Sequence, residues 1–304
     1  MSEMILSSSV TLRRNACLPF KRIDASSVAN KIGSVLNAQV TDGVGPLSKA
    51  LSAKGLIPEP TSSSARLIYD GSGYCVTVGG SDHFIICSSI RENNLKEAYA
   101  VVKNLDDRIA ECVKYAFHPT FGFETLSLSD VGTGMRVKLK LFTPALLISK
   151  TIGRYMRSLM AEGVLMEATE TEDFTVYLSN KRTLGVTESE ICESVLNAAT
   201  YLEAAEKQML QKLIESEAPA IKDKILRAYG TLTNCAILPE NEFFEHVGYV
   251  RLGLHIGLLK CVSTEAFEDF AVGLKGLELN RSSDASKEEA IALYARSLTE
   301  ILTR

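Results

Sequence analysis

The segment Gly79-Gly80-Ser81-Asp82-His83 has the residue types that most directly suggest chemistry. A carboxylate beside an imidazole can orient the ring and hold its proton, which is the arrangement used in acid–base catalysis. The same residue types also form ordinary turns between strands, in which Asp and His hydrogen-bond locally. Because the turn is the more frequent use and the sequence offers no complete set of nucleophile, base and orienting residue, both interpretations stay open.

A second candidate is Gly132-Thr133-Gly134, followed by Arg136. Backbone N–H groups in such a turn, together with a guanidinium, can hold an anion, although a simple tight turn into a strand is equally common. Four apolar residues, Met135, Val137, Leu139 and Leu141, alternate with Arg136, Lys138 and Lys140. The alternation predicts a strand with one apolar and one basic face, and such a basic face is usually only solvated.

The acidic run Glu167 to Asp173 predicts an exposed loop, or else a surface that attracts a basic partner. The cysteines are odd in number and widely spread, which indicates reduced, buried thiols. Neither the cysteines nor the four histidines have metal-ligand spacing, so no metal site is predicted. These residues are Cys17, Cys75, Cys87, Cys112, Cys192, Cys235 and Cys261, with His83, His118, His246 and His255.

The elements that must position these residues alternate between strands and helices. Apolar spacing and turn composition predict strands, helices and one long surface connection over 41–65. The predicted strands are Arg66–Tyr69 and Tyr74–Val78 as a hairpin, Phe84–Cys87, Met135–Leu141 and Phe174–Leu178. The predicted helices are Ser26–Asn37, Leu95–Phe117, one from Pro144 to Gly163, one from Thr187 to about Glu217, and four after Pro219, namely Ile221–Thr231, Glu240–Tyr249, Thr264–Leu274 and Lys287–Leu302.

Length and composition set wider limits. The chain has 304 residues, 46% hydrophobic and 23% charged, which is typical of a folded protein of two domains. Pro219 marks the predicted boundary, giving domains 1–217 and 218–304. The net charge of −4 offers no broad basic field for nucleic acid or an anionic membrane. No apolar run approaches the roughly 18 residues that span a bilayer and no signal peptide is evident, so a cytoplasmic location is predicted.

Several ordered motifs resemble the ATP:guanido phosphotransferases, and among them the bacterial protein-arginine kinases of the McsB type. The opening segment Ile5–Asn15 with Pro19-Phe20, the pair Asp82-His83, and the run Val131–Arg136 resemble family motifs in the same order. Further matches are Leu178-Ser179-Asn180, Thr183-Leu184-Gly185, Arg227–Gly230 and Val250–Gly253. The resemblance implies an α+β fold, with an antiparallel sheet flanked by helices, followed by a small all-helical domain used for dimerisation.

The resemblance also implies a catalytic site that has lost most of its parts. The two acidic residues of the family's N-E-E-D-H motif fall at Gly80 and Ser81, which leaves no carboxylate to act as the base. The family's phosphate-binding arginines fall at Ser9, Thr11, Ile85 and about Met166, and only Arg136 keeps its position. Ser127 replaces the family's reactive cysteine, and Leu128 and Asp130 also depart from the pattern. No catalytic residue is therefore predicted to be retained.

Three functions follow as hypotheses. The preferred one is an inactive kinase homologue, or pseudokinase, that forms a homodimer and binds proteins, such as the zinc-binding activator with which the family's kinases work. The second is an active protein-arginine kinase with a rebuilt site, using ATP and Mg²⁺, with Arg136, Lys138, Lys140 or Arg14 on phosphate and Asp82 as base. The third is a nucleotide or phosphate sensor. One family element, the R-D-x-x-R-A phosphoarginine-docking motif, has no clear counterpart in Lys287–Arg296.

Overall fold

The computed structural model describes residues 4–16, 21–169, 171–276 and 286–303. Cys17 and Pro19-Phe20 of the opening motif and Glu170 of the acidic run lie outside these ranges. The elements are, in chain order, β1 (Ile5–Arg14), α1 (Ala25–Leu36), β2 (Gln39–Asp42), α2 (Pro46–Ala53), β3 (Arg66–Tyr69), β4 (Tyr74–Val78), β5 (Phe84–Arg91), α3 (Leu95–Ala110), β6 (Phe117–His118), β7 (Gly122–Phe123), β8 (Met135–Phe142), α4 (Pro144–Ile148), α5 (Ile152–Ala161), β9 (Val164–Ala168), β10 (Thr175–Asn180), α6 (Glu188–Asn234), α7 (Glu240–His255), β11 (Lys260–Cys261), α8 (Thr264–Gly276), α9 (Lys287–Arg296), α10 (Leu298–Ile301) and β12 (Leu302–Thr303).

The main sheet has eight strands in the order β2-β3-β4-β5-β1-β8-β10-β9. Strand β1 lies between β5 and β8 and pairs antiparallel with both, and β2 to β5 also pair antiparallel in sequence order. Helix α3 packs against β1 and β5, while α1 packs against β3 and α3. The predicted α+β fold, an antiparallel sheet flanked by helices with helices after it, is confirmed.

The chain forms two compact units. One comprises Met1–Leu141, Met156–Met166 and Tyr177–Tyr201, and the other comprises Phe142–Tyr155, Glu167–Val176 and Leu202–Arg304. These units interleave along the sequence, whereas the predicted domains 1–217 and 218–304 are continuous, and that boundary stays a prediction. Within the described residues, no helix combines the length and the apolar character that crossing a membrane requires.

The stretch 41–65 is more than the surface connection predicted from its Gly, Pro and Ser content. It contains α2, and its apolar residues Leu51, Leu56 and Ile57 are buried against the sheet residues Leu67 and Cys75. The composition concealed this role because the buried residues are few and do not follow a helical or strand period. The stretch therefore covers one face of β3 and β4.

Three helix predictions need correction. The helix predicted over Leu95–Phe117 ends at Ala110, with Phe117 in β6, and the one predicted over Lys287–Leu302 is divided into α9 and α10. The single helix predicted from Pro144 to Gly163 is two helices, α4 and α5, separated at Lys150, which has a left-handed φ of 57°. The helix predicted to end near Glu217 does end there as a regular helix: α6 consists of two helical segments that meet at a kink at Glu217, and the second segment runs to Asn234. Proline cannot donate a helical hydrogen bond and its ring displaces the preceding turn, which explains why Glu217 has a non-helical φ of −130° within α6.

In the second unit, α6 contributes a buried carboxylate. The Glu206 side chain has no exposed surface, and its oxygens accept hydrogen bonds from the backbone N–H groups of Ala145 (2.6 Å) and Leu146 (2.9 Å). Burial raises the pKa of Glu206 to about 7, although these two hydrogen bonds act in the opposite direction. Glu206 thus satisfies the first backbone donors of α4, which would otherwise be buried without partners.

The acidic run was predicted to be an exposed loop, and this prediction is wrong for Asp173. Asp173 is 3% exposed, and its carboxylate accepts hydrogen bonds from Thr171 and Thr175. It also lies 3.5 Å from the buried guanidinium of Arg251, which pairs with Glu268 through two nitrogens at 2.8 and 3.0 Å. Buried carboxylates persist when they are paired, so Asp173 is part of the interior of the second unit.

Candidate functional site

Strand β1 separates two kinds of surface. Its even-numbered residues Ser8, Val10, Leu12 and Arg14 are at most 1% exposed, which places them on the side covered by α3. Its odd-numbered residues point to the other side. We call that side the polar face and define it by Ser9, Thr11 and Arg13 on β1 with Arg136 and Lys138 on β8.

The strand register brings most of the sequence-predicted positions together on the polar face. Thr11 lies opposite Arg136 and Ser9 opposite Lys138, while Arg13 lies opposite Ile85 of β5. Directly opposed residues of an antiparallel pair project to the same side. Lys140, opposite Ser7, continues the same row. Met166 is not part of this group because β9 is the edge strand, beyond β10.

The positions of the predicted lost phosphate arginines hold uncharged side chains with internal roles. The Ser9 hydroxyl donates to the backbone carbonyl of Lys138 at 3.2 Å, and Thr11 donates to the Cys87 sulfur at 3.4 Å. Ile85 is 1% exposed and Met166 is 7% exposed, so both side chains belong to the core. None of these four side chains can supply positive charge to an anion.

Asp82 and His83 do not bond to each other. The Asp82 carboxylate is 1% exposed, and its Oδ1 accepts hydrogen bonds from Asn15 Nδ2 (2.7 Å) and the Leu126 N–H (2.8 Å). His83 Nδ1 accepts from the Ala16 N–H, which assigns the ring proton to Nε2, 2.5 Å from the Lys21 carbonyl oxygen. An enclosed carboxylate with these donors is poorly placed to take a proton from a substrate, so Asp82 does not fit the suggested role of base.

Arg14 does not fit the suggested role in phosphate binding. Its guanidinium is 1% exposed and donates to both carboxylate oxygens of Asp106 on α3, at 3.1 and 2.8 Å. It also lies over the Phe123 ring, 3.6 Å from the ring centre. Adjacent residues of a strand point to opposite faces, so Arg14 ties β1 to α3 while its neighbour Arg13 lies on the polar face.

Arg136, which the sequence resemblance predicted to be a retained phosphate arginine, is bound by groups of the protein itself. Its Nε lies 2.5 Å from the Asp130 carboxylate, and its other nitrogens donate to the backbone carbonyls of Asn180 and Ser129. The preceding turn is engaged as well, because the Gly132 and Thr133 N–H groups donate to the carbonyls of Phe123 and Thr183. The turn therefore positions strands, as the simpler interpretation predicted, with these two donors already used.

Gly134 shows why this turn needs glycine. Its φ is +64°, and a Cβ atom there would lie 2.6 Å from the Arg13 carbonyl oxygen. Glycine tolerates both the left-handed backbone and the close approach. The Gly134 carbonyl also accepts a hydrogen bond from the Arg13 N–H at 2.9 Å, which fixes the end of β1 beside the start of β8.

Arg13 is a residue of this site that the sequence analysis missed. Its Nη1 lies 3.0 Å from Glu59, 3.2 Å from the Ser81 hydroxyl and 3.4 Å from Asp82, and its Nε lies 3.4 Å from Asp130. Burial lowers the pKa of Arg13, but the three carboxylates together raise it above its ordinary value. The adjacent pair of arginines in β1 was a signal, but sequence alone could not place Glu59, 46 residues further on, beside it.

Lys138 on the polar face and two cysteines of the same sheet were also considered in the sequence analysis. Lys138 is exposed and its Nζ lies 4.6 Å from the centre of the Tyr177 ring, close enough for a cation–π contact. Cys75 and Cys87 lie opposite each other in β4 and β5, and burial raises their pKa values to about 12 and about 11. These two thiols are therefore protonated at neutral pH, as expected for buried cysteines rather than nucleophiles.

Comparison with known proteins places this geometry in a family context. Residues 47–209 match the model of the C-terminal catalytic domain of the ATP:guanido phosphotransferases, and residues 218–290 match that of the C-terminal domain of the protein-arginine kinase McsB. The protein-arginine kinase of Bacillus subtilis is 28% identical over 300 residues, covering 89% of this chain and 82% of that protein. That of Clostridium botulinum is 31% identical over 218 residues, covering 70% and 64%.

A lombricine kinase has a similar solved structure, with a TM-score of 0.60 at 15% sequence identity, covering 70% of this chain and 68% of that one. The duplicated taurocyamine kinase of Schistosoma mansoni gives the same TM-score at 17% identity, covering 76% and 39%. At such identities these structures show a shared fold.

Proposed function

Because the chain belongs to the ATP:guanido phosphotransferases, and among them to the protein-arginine kinases, we propose that it is a catalytically inactive homologue that acts by binding other proteins. The observation that carries the proposal is the ion pair between Arg136 and Asp130, at 2.5 Å. The one family phosphate arginine that keeps its position is neutralised by a carboxylate of the same chain.

The charge on this surface supports the proposal. Phosphoryl transfer needs clustered cations to stabilise the phosphates and the charge that develops on them. Here the carboxylates of Glu59, Asp82 and Asp130 lie beside the guanidinium groups of Arg13 and Arg136, so both arginines of this surface are already paired with acidic groups. An ATP phosphate chain would have to displace Asp130 from Arg136 and would meet two further carboxylates nearby.

The lack of a general base supports the proposal of an inactive homologue independently of the charges. Gly80 and Ser81 hold the family's acidic positions without a carboxylate, and Asp82 is enclosed by Asn15 and the Leu126 N–H. Loss of a general base costs about 10²–10⁴ in rate, and loss of a charge-stabilising arginine costs on the order of 10³–10⁵. These factors do not simply multiply, but either one removes ordinary kinase turnover.

Protein binding is the function that such a chain can keep. The match of residues 218–290 to the McsB C-terminal domain supports the proposal of a homodimer formed through the helical region. By the same family resemblance, we propose a small zinc-binding activator protein as the partner. Measuring the solution mass by light scattering over a range of concentrations tests the dimer, and a concentration-independent monomer would contradict it.

Isothermal titration with Mg-ATP and Mg-ADP tests the loss of nucleotide binding, and mass spectrometry under non-acidic conditions tests the loss of phosphoarginine formation. The Bacillus subtilis protein-arginine kinase is the positive control for both. We expect no heat of binding and no phosphoarginine on the chain or on added proteins. Nucleotide binding without product would support the sensor hypothesis instead, and phosphoarginine that disappears in Arg136→Ala would establish an active kinase.

A further inference from the structure

The surroundings of Arg13 form a site in their own right. We propose that Glu59, Asp82, Asp130 and the Ser81 hydroxyl form a guanidinium-binding site whose built-in occupant is Arg13 of the same chain. The ligand class is an alkylguanidinium, such as an arginine side chain. This occupancy goes beyond the proposed function, because it concerns which ligand the carboxylates hold and does not depend on whether the protein transfers phosphate.

The site is assembled by the fold rather than by local sequence. Glu59 comes from the stretch before β3, Ser81 and Asp82 from the turn between β4 and β5, and Asp130 from the segment before β8. All of them belong to the same compact unit as Arg13. The backbone also contributes, because the Ser81 N–H donates to Glu59 Oε1 at 3.2 Å and leaves Oε2 facing Arg13. The side-chain amide of Asn15 donates to Asp82 Oδ1 at 2.7 Å, which leaves Oδ2 facing Arg13.

The arrangement of the acceptors fits a planar guanidinium. Glu59, Ser81 and Asp82 converge on Nη1, while Asp130 faces Nε from another direction. A guanidinium presents N–H donors along several edges, whereas an ammonium is a single compact charge. The acceptors do not converge as metal ligands do, since the described part of the chain has no group of three or more His, Cys, Asp or Glu residues that could hold a metal ion.

Arg13 itself fills the site imperfectly. Its Nε is buried and has no hydrogen-bond partner, although Asp130 lies 3.4 Å away. The β1 backbone fixes where the Arg13 side chain begins, and that tether limits how closely Nε can approach Asp130. A free guanidinium has no such tether. The side chains of Arg13 and Glu59 are 14% and 23% exposed, so the site reaches the solvent at its edge.

Removal of Arg13 leaves three carboxylates without their shared cation. Arg136 then remains as a partner for Asp130 alone. Uncompensated buried carboxylates destabilise a folded protein, and a cation that restores the pairing stabilises it in proportion to its occupancy. The full-length Arg13→Ala variant is therefore expected to be less stable than the natural protein and to accept an added guanidinium.

Chemical rescue of Arg13→Ala tests the site. Ethylguanidinium replaces the atoms that the substitution removes from Cγ outward, and propylammonium is the control of similar size and equal charge. We expect about 10 mM ethylguanidinium to raise the melting temperature of Arg13→Ala by several degrees in a saturable manner, as a weak ligand specific to the native state does. Propylammonium should change it no more than sodium chloride does.

Three further proteins complete the test. The natural protein should show no saturable response, because Arg13 occupies the site. Arg66→Ala should show none either, because the carboxylate that pairs with Arg66, that of Asp42, is largely exposed. Arg13→Ala combined with Glu59→Gln should need several-fold more ethylguanidinium for the same effect. An equal response to both cations, or the same response in the natural protein, would refute the proposal.

If Arg13→Ala does not fold, the same cations are compared in refolding from urea. Recovery of folded protein with ethylguanidinium but not with propylammonium supports the site. Recovery with neither, or equally with both, contradicts it.

Discussion

Asp130 lies 2.5 Å from Nε of Arg136, so the arginine that the family resemblance aligns with a phosphate-binding position is here paired within the chain. The same carboxylate lies 3.4 Å from Nε of Arg13 on the neighbouring strand. One acidic side chain thus joins the start of β8 to the end of β1. This link can be tested by its contribution to stability, separately from any question of catalysis.

Asp130→Asn is expected to lower the free energy of unfolding by about 1–3 kcal/mol, because two partly buried guanidinium groups lose their charged acceptor. Urea denaturation followed by circular dichroism measures the change. Asp107→Asn is the matched control, since Asp107 is 65% exposed and pairs with Lys103 on the surface of α3. Surface pairs of that kind contribute about 0–1 kcal/mol. Equal effects of the two substitutions would contradict a structural role for Asp130.

Arg14→Lys is expected to destabilise the protein by about 3–5 kcal/mol, because a lysine cannot keep the two-point contact with Asp106 in a buried setting. Arg227→Lys provides the comparison, since that arginine is 77% exposed and pairs with Asp223 on the surface of α6. Its expected effect is within about 0.5 kcal/mol. If Arg14→Lys were as mild as Arg227→Lys, the proposed link between β1 and α3 would be wrong.

Glu206 predicts a specific dependence of stability on pH. Its pKa in the folded protein is about 7, above its ordinary value of 4.5. The folded state therefore binds the proton more tightly than the unfolded state does, and the resulting stabilisation is present below pH 4.5 and is lost as the pH rises through 7. Urea denaturation at several pH values between 5 and 8 should show a smaller decline with pH in Glu206→Gln than in the natural protein.

Glu190→Gln is the control for that measurement. The Glu190 carboxylate is exposed and its hydrogen bonds with Thr187 lower its pKa, so its titration falls below pH 4.5. Replacement of Glu190 should leave the change in the free energy of unfolding between pH 5 and 8 the same as in the natural protein. A slope that does not change in Glu206→Gln would show that Glu206 titrates near its ordinary pKa.

Placing glutamates at the family's two acidic positions is expected to produce no phosphoarginine. In Gly80→Glu/Ser81→Glu the new side chains can be accommodated, because Ser81 is exposed and a Cβ at Gly80 first meets the flexible end of Ile85 at 3.1 Å. Ser9, Thr11 and Ile85 would still supply no charge for phosphate. Mass spectrometry for phosphoarginine checks this, with a positive result contradicting the view that cation loss by itself prevents turnover.

The sequence correctly predicted those features of the fold and the candidate site that depend on local sequence pattern. The alternation from Met135 to Leu141 correctly predicted β8 and its basic face, and the Asp70–Gly73 turn composition correctly predicted the hairpin of β3 and β4. The family resemblance then aligned Ser9, Thr11 and Ile85 as positions of one site, and the strand register places them on neighbouring strands.

The ion pairs could not be predicted from local sequence pattern because they join segments that are far apart in the chain. Nothing in the local sequence shows that Glu59 reaches Arg13, or that Arg14 points to Asp106 on α3 instead of to the polar face. Which face of β1 each arginine occupies depends on a one-residue choice of register, and a shift of one residue exchanges the two faces. Suggesting Arg14 as a phosphate ligand while overlooking Arg13 is the error that this ambiguity produces.

The sharing of Asp130 between two arginines also bears on how either of them could take another partner. A substitution that releases Arg136 for an anion removes, in the same step, a partner of Arg13 on the adjacent strand. Strands β1 and β8 are therefore coupled through one carboxylate, and neither arginine can be given a new partner in place of Asp130 without affecting the other.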